Sequence, residues 1–230
     1  MTKLTIAQQK LLAATAAVEF VENKMIIGLG SGTTTEMAIR LLAERVRAGL
    51  KITGVPTSKA VEKLARRLQI PLIEDLGAFK KIDLAIDGAD EVDPQLNLIK
   101  GGGGALTREK IVASRSDRFI IVVDEKKLVK RLGKFPLPVE VLPFGWRATA
   151  ELLREFGARI KLRQDEKKPY LTDNGNYIVD CAFGKIPNPP QLAQQLKSLI
   201  GVVETGLFVG RADLVLVGHS DGRVEEKWAA

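Results

Sequence analysis

The sequence predicts an α/β fold with a mostly parallel sheet. Short apolar runs of strand length, such as 25–29 and 82–86, alternate with longer segments of helical periodicity. No run approaches the ~20 apolar residues of a membrane-spanning helix, so the apolar runs are interpreted as strands of a buried sheet. Strands that alternate with helices need crossover connections, which place parallel strands between two layers of helices.

The first part of the chain follows this pattern closely. Thr5 and Ser58 are each suited to cap the helix that follows, and Gly49 is suited to end one. The predicted elements are, in order, a helix over 5–20, a strand over 25–29, a helix over 37–46, a strand over 51–55, a helix over 58–68 and strands over 82–86 and 119–123. They predict a Rossmann-like sheet with helices on both faces.

The pattern changes after about Leu132, where prolines interrupt the chain. The predicted elements are a helix over 147–156, strands over 160–163 and 170–172, a turn over 173–176, a strand over 177–181 paired across that turn, a helix from Pro189 to Ile200, and strands over 207–209 and 214–217. This mixture predicts a smaller α+β domain, 133–204, inserted into an α/β domain of residues 1–132 and 205–230. The last strands are expected to rejoin the main sheet.

Composition excludes several classes of protein. The chain has 230 residues, 45% of them hydrophobic, which excludes intrinsic disorder. A single cysteine, Cys181, excludes a disulfide scaffold and, with no secretory signal in the sequence, favours the cytoplasm. A single histidine, His219, excludes a multi-histidine metal site, and both residues are expected to be structural. The net charge of +7 raises the question of nucleic acid, but acidic and basic residues are mixed and aromatics are only 5%. Neither nucleic acid nor a membrane is an expected partner.

The first motif is Gly28-Leu29-Gly30-Ser31-Gly32, between a strand and a helix that begins with three threonines. Glycines allow a sharp turn and close approach of a ligand, and the amides of a helix N-terminus favour an anion. The alternative is a tight turn without a ligand. The third glycine of a dinucleotide fingerprint and the Gly-Lys-Ser/Thr ending of a P-loop are missing, so the motif predicts a site for a single phosphate.

The second motif, 87–93, holds four carboxylates directly after a predicted strand. Open α/β sheets bind ligands at that edge. The alternatives are an acidic turn exposed to solvent and a Mg²⁺ site, which paired aspartates suit. Because Asp87 follows the apolar strand end directly and Gly88 and Ala89 leave space beside it, the motif favours a small polar ligand.

Two further motifs place charged groups after predicted strands. Lys100 enters a run of four glycines, 101–104, and Glu109 follows in the first turns of the next helix. Such glycines are costly in backbone entropy, so we favour close passage of the backbone by a substrate over a flexible linker. Lys126 and Lys127 follow the strand 119–123. All four motifs are thus expected at the carboxyl ends of parallel strands, on one edge of the sheet.

Together the motifs resemble the type A ribose-5-phosphate isomerases. The matching segments are 28–34, 87–91, 100–103, 105–110, 132–140, 172–176 and 201–208, so the resemblance covers almost the whole chain. Two positions depart from the family: Gly104, where alanine is common, and Lys126, where serine is common. The first departure is expected only to loosen the loop. The second leaves open whether Lys126 or Lys127 reaches the substrate, and the spacing to 132–134 favours Lys127.

The resemblance implies interconversion of D-ribose 5-phosphate and D-ribulose 5-phosphate through an enediol(ate), without cofactor or metal, in the pentose phosphate pathway or the Calvin cycle. It implies a homodimer or larger homo-oligomer. Glu109 is implied as the base, with Asp87, Asp90 and Lys100 as its catalytic partners at the sugar oxygens. The substrate-binding residues implied are Ser31, Gly32, Thr33, Thr34, Asp87, Gly88, Ala89, Asp90, Lys100, Gly101, Gly102, Gly103 and Lys127. A free glutamate, with a pKa of about 4.3, is a weak base for a carbon acid, so Glu109 is expected to be partly buried.

Two other functions are alternatives. A sugar-phosphate-binding sensor domain could share this fold, but a transcription regulator would need a helix-turn-helix segment, and the few residues before Thr5 leave no room for one. A CoA-transferase-like enzyme would need a nucleophilic glutamate and a pantetheine site.

Overall fold

A computed structural model of the chain describes residues 3–75, 77 and 81–229. The described residues form two compact units. Unit 1 contains the chain up to residue 89, residues 108–127 and the chain from residue 211 on, and unit 2 contains residues 90–107 and 128–210. The predicted insert, 133–204, therefore lies within unit 2.

The helices and strands follow the predicted alternation. The helices are α1 (Ile6–Val18), α2 (Thr33–Arg47), α3 (Lys59–Arg67), α4 (Leu106–Ser114), α5 (Trp146–Glu155) and α6 (Pro189–Lys197). The strands are β1 (Ile26–Leu29), β2 (Thr53–Pro56), β3 (Ile82–Asp87), β4 (Glu91–Val92), β5 (Leu98–Ile99), β6 (Ser116–Asp124), β7 (Leu137–Val141), β8 (Arg159–Leu162), β9 (Gln164–Asp165), β10 (Lys168–Pro169), β11 (Tyr177–Ala182), β12 (Val202–Thr205), β13 (Leu207–Phe208), β14 (Leu214–Gly218) and β15 (Val224–Trp228). In the part of the chain that these elements cover, no helix combines the length and the apolar character needed to cross a membrane.

Unit 1 is built on a six-stranded sheet in the order β15-β14-β6-β3-β1-β2. All neighbouring strands are parallel except β14 and β15, so the predicted α/β fold is confirmed. Leu29 lies opposite Pro56 and Ile86, and Asp87 lies opposite Ile121. This register aligns the carboxyl ends of β1, β2 and β3 on one edge, with the end of β6 a few residues beyond.

Helices cover both faces of this sheet, as predicted. Ile27 and Leu29 of β1 belong to one buried cluster with apolar residues of α1, α2 and α3. Gly28, between them, faces the opposite side because successive strand residues alternate. A Cβ atom at Gly28 would lie 2.5 Å from Cγ1 of Val112, so α4 packs against the second face.

Two helix starts confirm the capping residues expected from the sequence. The Thr5 side chain accepts a hydrogen bond from Gln8 N while the Gln8 side chain accepts one from Thr5 N, which is a capping box. Ser58 Oγ accepts from Val61 N at 3.1 Å. These side chains satisfy amide groups that the first helical turn leaves without a partner.

Unit 2 combines an antiparallel four-stranded sheet, in the order β12-β7-β11-β8, with α5 and α6. Apolar residues of β7 and β11 form its core with Leu153 of α5 and Leu196 of α6. A second, three-stranded sheet has the order β13-β5-β4, and β9 pairs with β10. This is the α+β character that the sequence predicts.

The predicted strand over 170–172 is wrong, as is its pairing with 177–181. The strand β11 pairs instead with β7 and β8. The turn over 173–176 is present and is closed by the hydrogen bond from Thr172 N to Asn176 O at 2.9 Å. However, Thr172 Oγ1 donates to Glu140 Oε1 at 2.9 Å. The segment 170–172 therefore binds a buried carboxylate instead of pairing as a strand.

The expectation that both last strands rejoin the main sheet is wrong for the first of them. The strand β13 pairs with β5 in the three-stranded sheet, whereas β14 joins β6. The same sheet corrects the setting of Lys100, because β5 is a two-residue antiparallel strand. Three of the four motifs, not all four, follow parallel strands.

Candidate active site

The glycine loop after β1 lies against Asp87, the last residue of β3. Ser31 N and Gly88 N both donate to Asp87 Oδ1, at 3.1 and 2.7 Å. A Cβ atom at Gly30 would lie 2.3 Å from Asp87 Cγ, so only glycine leaves room for this carboxylate. Asp87 is 1% exposed. The first two sequence motifs therefore meet at the carboxyl edge of the unit 1 sheet.

The N-terminus of α2 has no side-chain cap. Its cap residue is Gly32, with φ of 106° and no side-chain capping hydrogen bond. The first amides of a helix have no acceptor within the helix and carry the positive end of its dipole. Thr33 is exposed beside these amides and Thr34 is buried. The arrangement suits a phosphate group.

Three residues that the sequence analysis missed support this loop. Ser31 Oγ lies 2.8 Å from Thr57 Oγ1 and donates to Ser58 Oγ at 3.1 Å. Thr57 and Ser58 directly follow the parallel strand β2, and this position is the signal that could have identified them. Lys10 Nζ of α1 donates to Thr33 Oγ1 at 2.9 Å. No motif pointed to Lys10, because α1 carries only a core pattern.

Glu109 lies in the first turn of α4 and is 4% exposed. Partial burial was expected for this residue, and the structure buries it almost completely. Acidic side chains are rarely buried to this extent, and when they are they are paired or functional. Val112, three residues later in α4, packs on the sheet at Gly28.

The two lysines of the fourth motif lie in a single 3₁₀ turn, Glu125–Lys127, directly after β6. Lys126 is exposed and its N donates to Asp124 Oδ1 at 3.1 Å, whereas Lys127 is half-buried. His219 supports the turn, with Nδ1 3.1 Å from Glu125 Oε2 and Nε2 2.9 Å from Glu225 Oε2. These contacts are consistent with the structural role expected for His219.

In unit 2, Asp90 binds the four-glycine loop. Gly102 N donates to Asp90 Oδ2 at 2.8 Å, and a Cβ atom at Gly102 would lie 2.6 Å from Asp90 Oδ1. The expectation that Gly104 only loosens the loop is wrong. A Cβ atom there would lie 2.3 Å from Tyr170 Oη, so glycine makes space that the tyrosine ring fills.

Lys100 is a buried cation, with 2% of its surface exposed. Its Nζ lies 5.5 Å from the centre of the Phe208 ring, a cation–π distance. Its backbone N donates to Gly206 O at 2.9 Å, and a Cβ atom at Gly206 would lie 2.3 Å from Lys100 O. Gly206 and Phe208 were missed as site residues, although both lie in a segment that the resemblance covers.

Not all of the acidic motif faces the candidate site. Glu91 accepts from Gly133 N at 2.7 Å and from Phe135 N at 2.6 Å, and Asp93 accepts from the backbone of Gln95 and Asn97. Both are buried, so the alternative of an exposed acidic turn is wrong for them. Among the described residues, no group of three or more His, Cys, Asp or Glu side chains is arranged to hold a metal ion.

Cys181 is buried in the core of unit 2, on β11. Burial raises the pKa of its thiol to about 12. The thiol is therefore protonated at neutral pH and is a poor nucleophile. This confirms the structural role predicted for it.

The chain is similar to known isomerases over nearly its whole length. A family model described as ribose 5-phosphate isomerase A (phosphoriboisomerase A) matches residues 53–222. The ribose-5-phosphate isomerase A of Cereibacter sphaeroides is 51% identical, over 94% of this chain and 89% of its own. A solved D-ribose-5-phosphate isomerase in complex with phospho-erythronic acid is 45% identical with a TM-score of 0.94, covering 98% of this chain and 100% of that one. The ribose 5-phosphate isomerase A structure from Methanocaldococcus jannaschii is 43% identical with a TM-score of 0.90, over 95% and 97%.

Proposed function

The chain belongs to the ribose 5-phosphate isomerase A family, and from that membership we propose a mechanism in which Glu109 moves the proton. The chain is an aldose–ketose isomerase that interconverts D-ribose 5-phosphate and D-ribulose 5-phosphate. The observation that carries the mechanism is the burial of Glu109 in the first turn of α4, directly after the four-glycine loop.

The reaction needs one base that serves two adjacent carbons. In the open-chain aldose, the Glu109 carboxylate removes the proton from C2, the C–H electron pair forms a C1=C2 double bond, and the carbonyl electrons move onto O1. The product of this step is a cis-enediolate. Protonated Glu109 then returns its proton to C1, O1 gains a proton and O2 loses one, which leaves the carbonyl at C2. A single carboxylate can do both because C1 and C2 are neighbours on one side of it.

Two aspartates are proposed to handle the sugar oxygens. Asp87 moves the proton between O1 and O2 and assists the opening of the furanose ring. Ser31 N and Gly88 N both donate to Asp87 Oδ1. These two hydrogen bonds fix the orientation of the carboxylate, which supports its assignment to proton transfer at the sugar oxygens. Asp90 orients the glycine loop through Gly102 N and binds a sugar hydroxyl.

Lys100 is proposed as the electrophile. Negative charge develops on O1 or O2 in the enediolate, and a buried ammonium stabilises it more strongly than one in water would. The Phe208 ring below Nζ and the backbone bond from Lys100 N to Gly206 O support a fixed position for this cation. A fixed charge needs no reorganisation during the reaction.

The phosphate is proposed to bind at the N-terminus of α2, to Ser31, Gly32, Thr33 and Thr34, with Lys127 as a further cation. The uncapped amides of this helix support the assignment. Anchoring the phosphate orients C1 and C2 at the other end of the sugar, and such orientation can lower a barrier by several kcal/mol.

The relative solved with phospho-erythronic acid supports the substrate class. That compound carries a phosphate and a carboxylate, and the planar, charged carboxylate resembles the oxygens of an enediolate. We propose that this chain binds the same compound, with the carboxylate where the reacting carbons of the sugar lie.

We also propose that the enzyme works in the cytoplasm as a homodimer or larger homo-oligomer. The single cysteine, free and buried, supports a reducing compartment. The oligomer follows from the resemblance alone, and sedimentation of the purified chain tests it.

The base is tested with Glu109→Gln, which keeps the shape of the side chain and removes its basicity. We expect kcat to fall by at least ~10²-fold, the lower end for general base catalysis, with a near-normal KM. The assay is ribulose 5-phosphate formation, combined with loss of deuterium from C2-deuterated ribose 5-phosphate into water.

Glu62→Gln is the matched control, because Glu62 also lies in the first turn of a helix. We expect its kcat and its deuterium loss to equal those of the parent chain. Near-normal deuterium loss in Glu109→Gln would remove Glu109 from the role of base.

A further inference from the structure

The four-glycine loop of unit 2 is bound by a side chain that the proposed mechanism does not use. Arg163 directly follows β8, and its Nη1 donates to Gly101 O at 2.8 Å and to Gly102 O at 3.0 Å. Its Nε and Nη2 donate to the two carboxylate oxygens of Asp180, at 3.0 and 2.5 Å. The Arg163 side chain is 15% exposed. The guanidinium is thus oriented by a bidentate ion pair on one side and binds two successive carbonyls on the other.

The first three carbonyl oxygens of the loop, those of Gly101, Gly102 and Gly103, each accept a hydrogen bond from a side chain. The Gly101–Gly102 peptide is bound at both ends, by Arg163 at the oxygen and by Asp90 at the N–H. The Gly103 oxygen accepts from Tyr170 Oη at 3.3 Å, and Gly104 N donates to Gly101 O at 3.0 Å. Four glycines have the largest backbone entropy to lose, so these bonds are needed to keep one loop conformation.

The middle peptide, Gly102–Gly103, is bound at its oxygen only. In a trans peptide the N–H points opposite to the C=O, so the Gly103 N–H points away from the Arg163 guanidinium. Over the described residues, the Gly103 N–H has no acceptor from the protein. A cation on the carbonyl oxygen polarises the peptide and strengthens its N–H as a donor.

We propose that Arg163, oriented by Asp180, is a positioning residue that fixes the four-glycine loop so that the Gly103 N–H donates to the substrate oxygen on which negative charge develops. The inference rests on the proposed function, which makes the loop part of the substrate site. It adds a preorganised backbone donor, of the kind that stabilises oxyanions, to the charge of Lys100. Arg163 itself touches no reacting atom and acts only through the loop.

The test compares a charged intermediate analogue with the neutral carbonyl substrate. In Arg163→Met, we expect the Kd for phospho-erythronic acid to rise at least about tenfold and kcat to fall about tenfold. Without Arg163 the loop no longer holds the Gly103 N–H in place, so its hydrogen bond to the charged ligand oxygen is lost. The KM for ribose 5-phosphate is expected to change less than about threefold. A role confined to folding would not separate the analogue from the substrate in this way.

Arg159→Met is the matched control, because Arg159 is an exposed arginine of β8. In Arg159→Met we expect the Kd for phospho-erythronic acid, kcat and KM all to be unchanged. Arg163→Lys keeps the positive charge but cannot bind Asp180 and the loop carbonyls with several nitrogens at once. Its changes in Kd and kcat are therefore expected to lie between those of Arg163→Met and the parent chain. If Arg163→Met does not fold, Arg163→Lys provides the same comparison.

Unchanged analogue affinity in a folded Arg163 variant would overturn the proposal, as would equal losses of affinity for analogue and substrate. Failure of the proposed function has a different signature. Full deuterium loss in Glu109→Gln would show that Glu109 is not the base, but the comparison of analogue and substrate binding in the Arg163 variants would still be valid. A parent chain that did not isomerise ribose 5-phosphate would refute the function itself.

Discussion

At the scale of single residues, two glycines determine where two carboxylates lie. A side chain at Gly30 would collide with Asp87, and one at Gly102 would collide with Asp90. In both cases the carboxylate also accepts a backbone N–H from the same loop, from Ser31 and from Gly102. The sequence marks these glycines as special, but the carboxylate that needs each of them is known only once the chain is folded.

Cys181 gives a prediction at this scale. Because burial raises the pKa of the thiol to about 12, about one thiol in ten thousand is ionised at pH 8 in the folded chain. We expect a disulfide reagent to label the folded chain at least ~10²-fold more slowly than the chain in concentrated urea. Labelling is followed by absorbance at one pH in both states.

The same thiol contributes to the pH dependence of stability. The raised pKa means that the folded state favours the protonated thiol, so its contribution is fully present below the pKa of the unfolded chain, about 8.5, and is lost as the pH rises towards 12. In the labelling experiment described above, equal rates for the folded chain and the chain in urea at pH 8 would contradict the raised pKa.

At the scale of elements, the four-glycine loop and Tyr170 fit each other. Gly104 has φ of 83°, and the tyrosine ring occupies the space that a Cβ atom would need. We expect Gly104→Ala to lower the free energy of unfolding by about 1–3 kcal/mol, through overpacking and left-handed backbone strain. Urea unfolding measures it.

Gly103→Ala is the control for this prediction, because a Cβ atom at Gly103 meets nothing within 4 Å. Its cost is expected to be a few tenths of a kcal/mol, close to the surface average. In a Tyr170→Ala background the cost of Gly104→Ala should fall by at least about 1 kcal/mol. Equal costs in both backgrounds would show that the ring is not the obstacle.

Elements also divide into those that a local pattern can predict and those it cannot. The starts of α1 and α3 were predicted because Thr5 and Ser58 satisfy amides within three residues of themselves. The segment over 170–172 was mispredicted because Thr172 bonds to Glu140, which is distant in the sequence. Strand propensity carries no information about such a partner.

At the scale of the whole molecule, the net charge of +7 acts on an anionic substrate. Positive charge raises the local concentration of a sugar phosphate, and salt screens this effect over about 10 Å at 0.1 M. We expect kcat/KM for ribose 5-phosphate to fall several-fold between about 0.02 and 0.5 M KCl, with kcat nearly constant. Initial rates at a series of substrate concentrations measure both.

A neutral osmolyte at the same osmolality is the control, and should leave kcat/KM unchanged. A salt effect on kcat with a constant KM would argue against attraction of the substrate and in favour of salt acting on the chemical step.

The sequence by itself determined the fold class, the order of elements and the motifs that carry the chemistry. Periodicity, caps and glycines act over a few residues, so they can be recognised without knowing the fold. Only the tertiary structure decided that β13 joins β5, that Phe208 lies under Lys100 and that Arg163 binds the glycine loop. Each of these contacts joins residues dozens of positions apart, and their partners are selected by packing and by the hydrogen bonds that buried groups require.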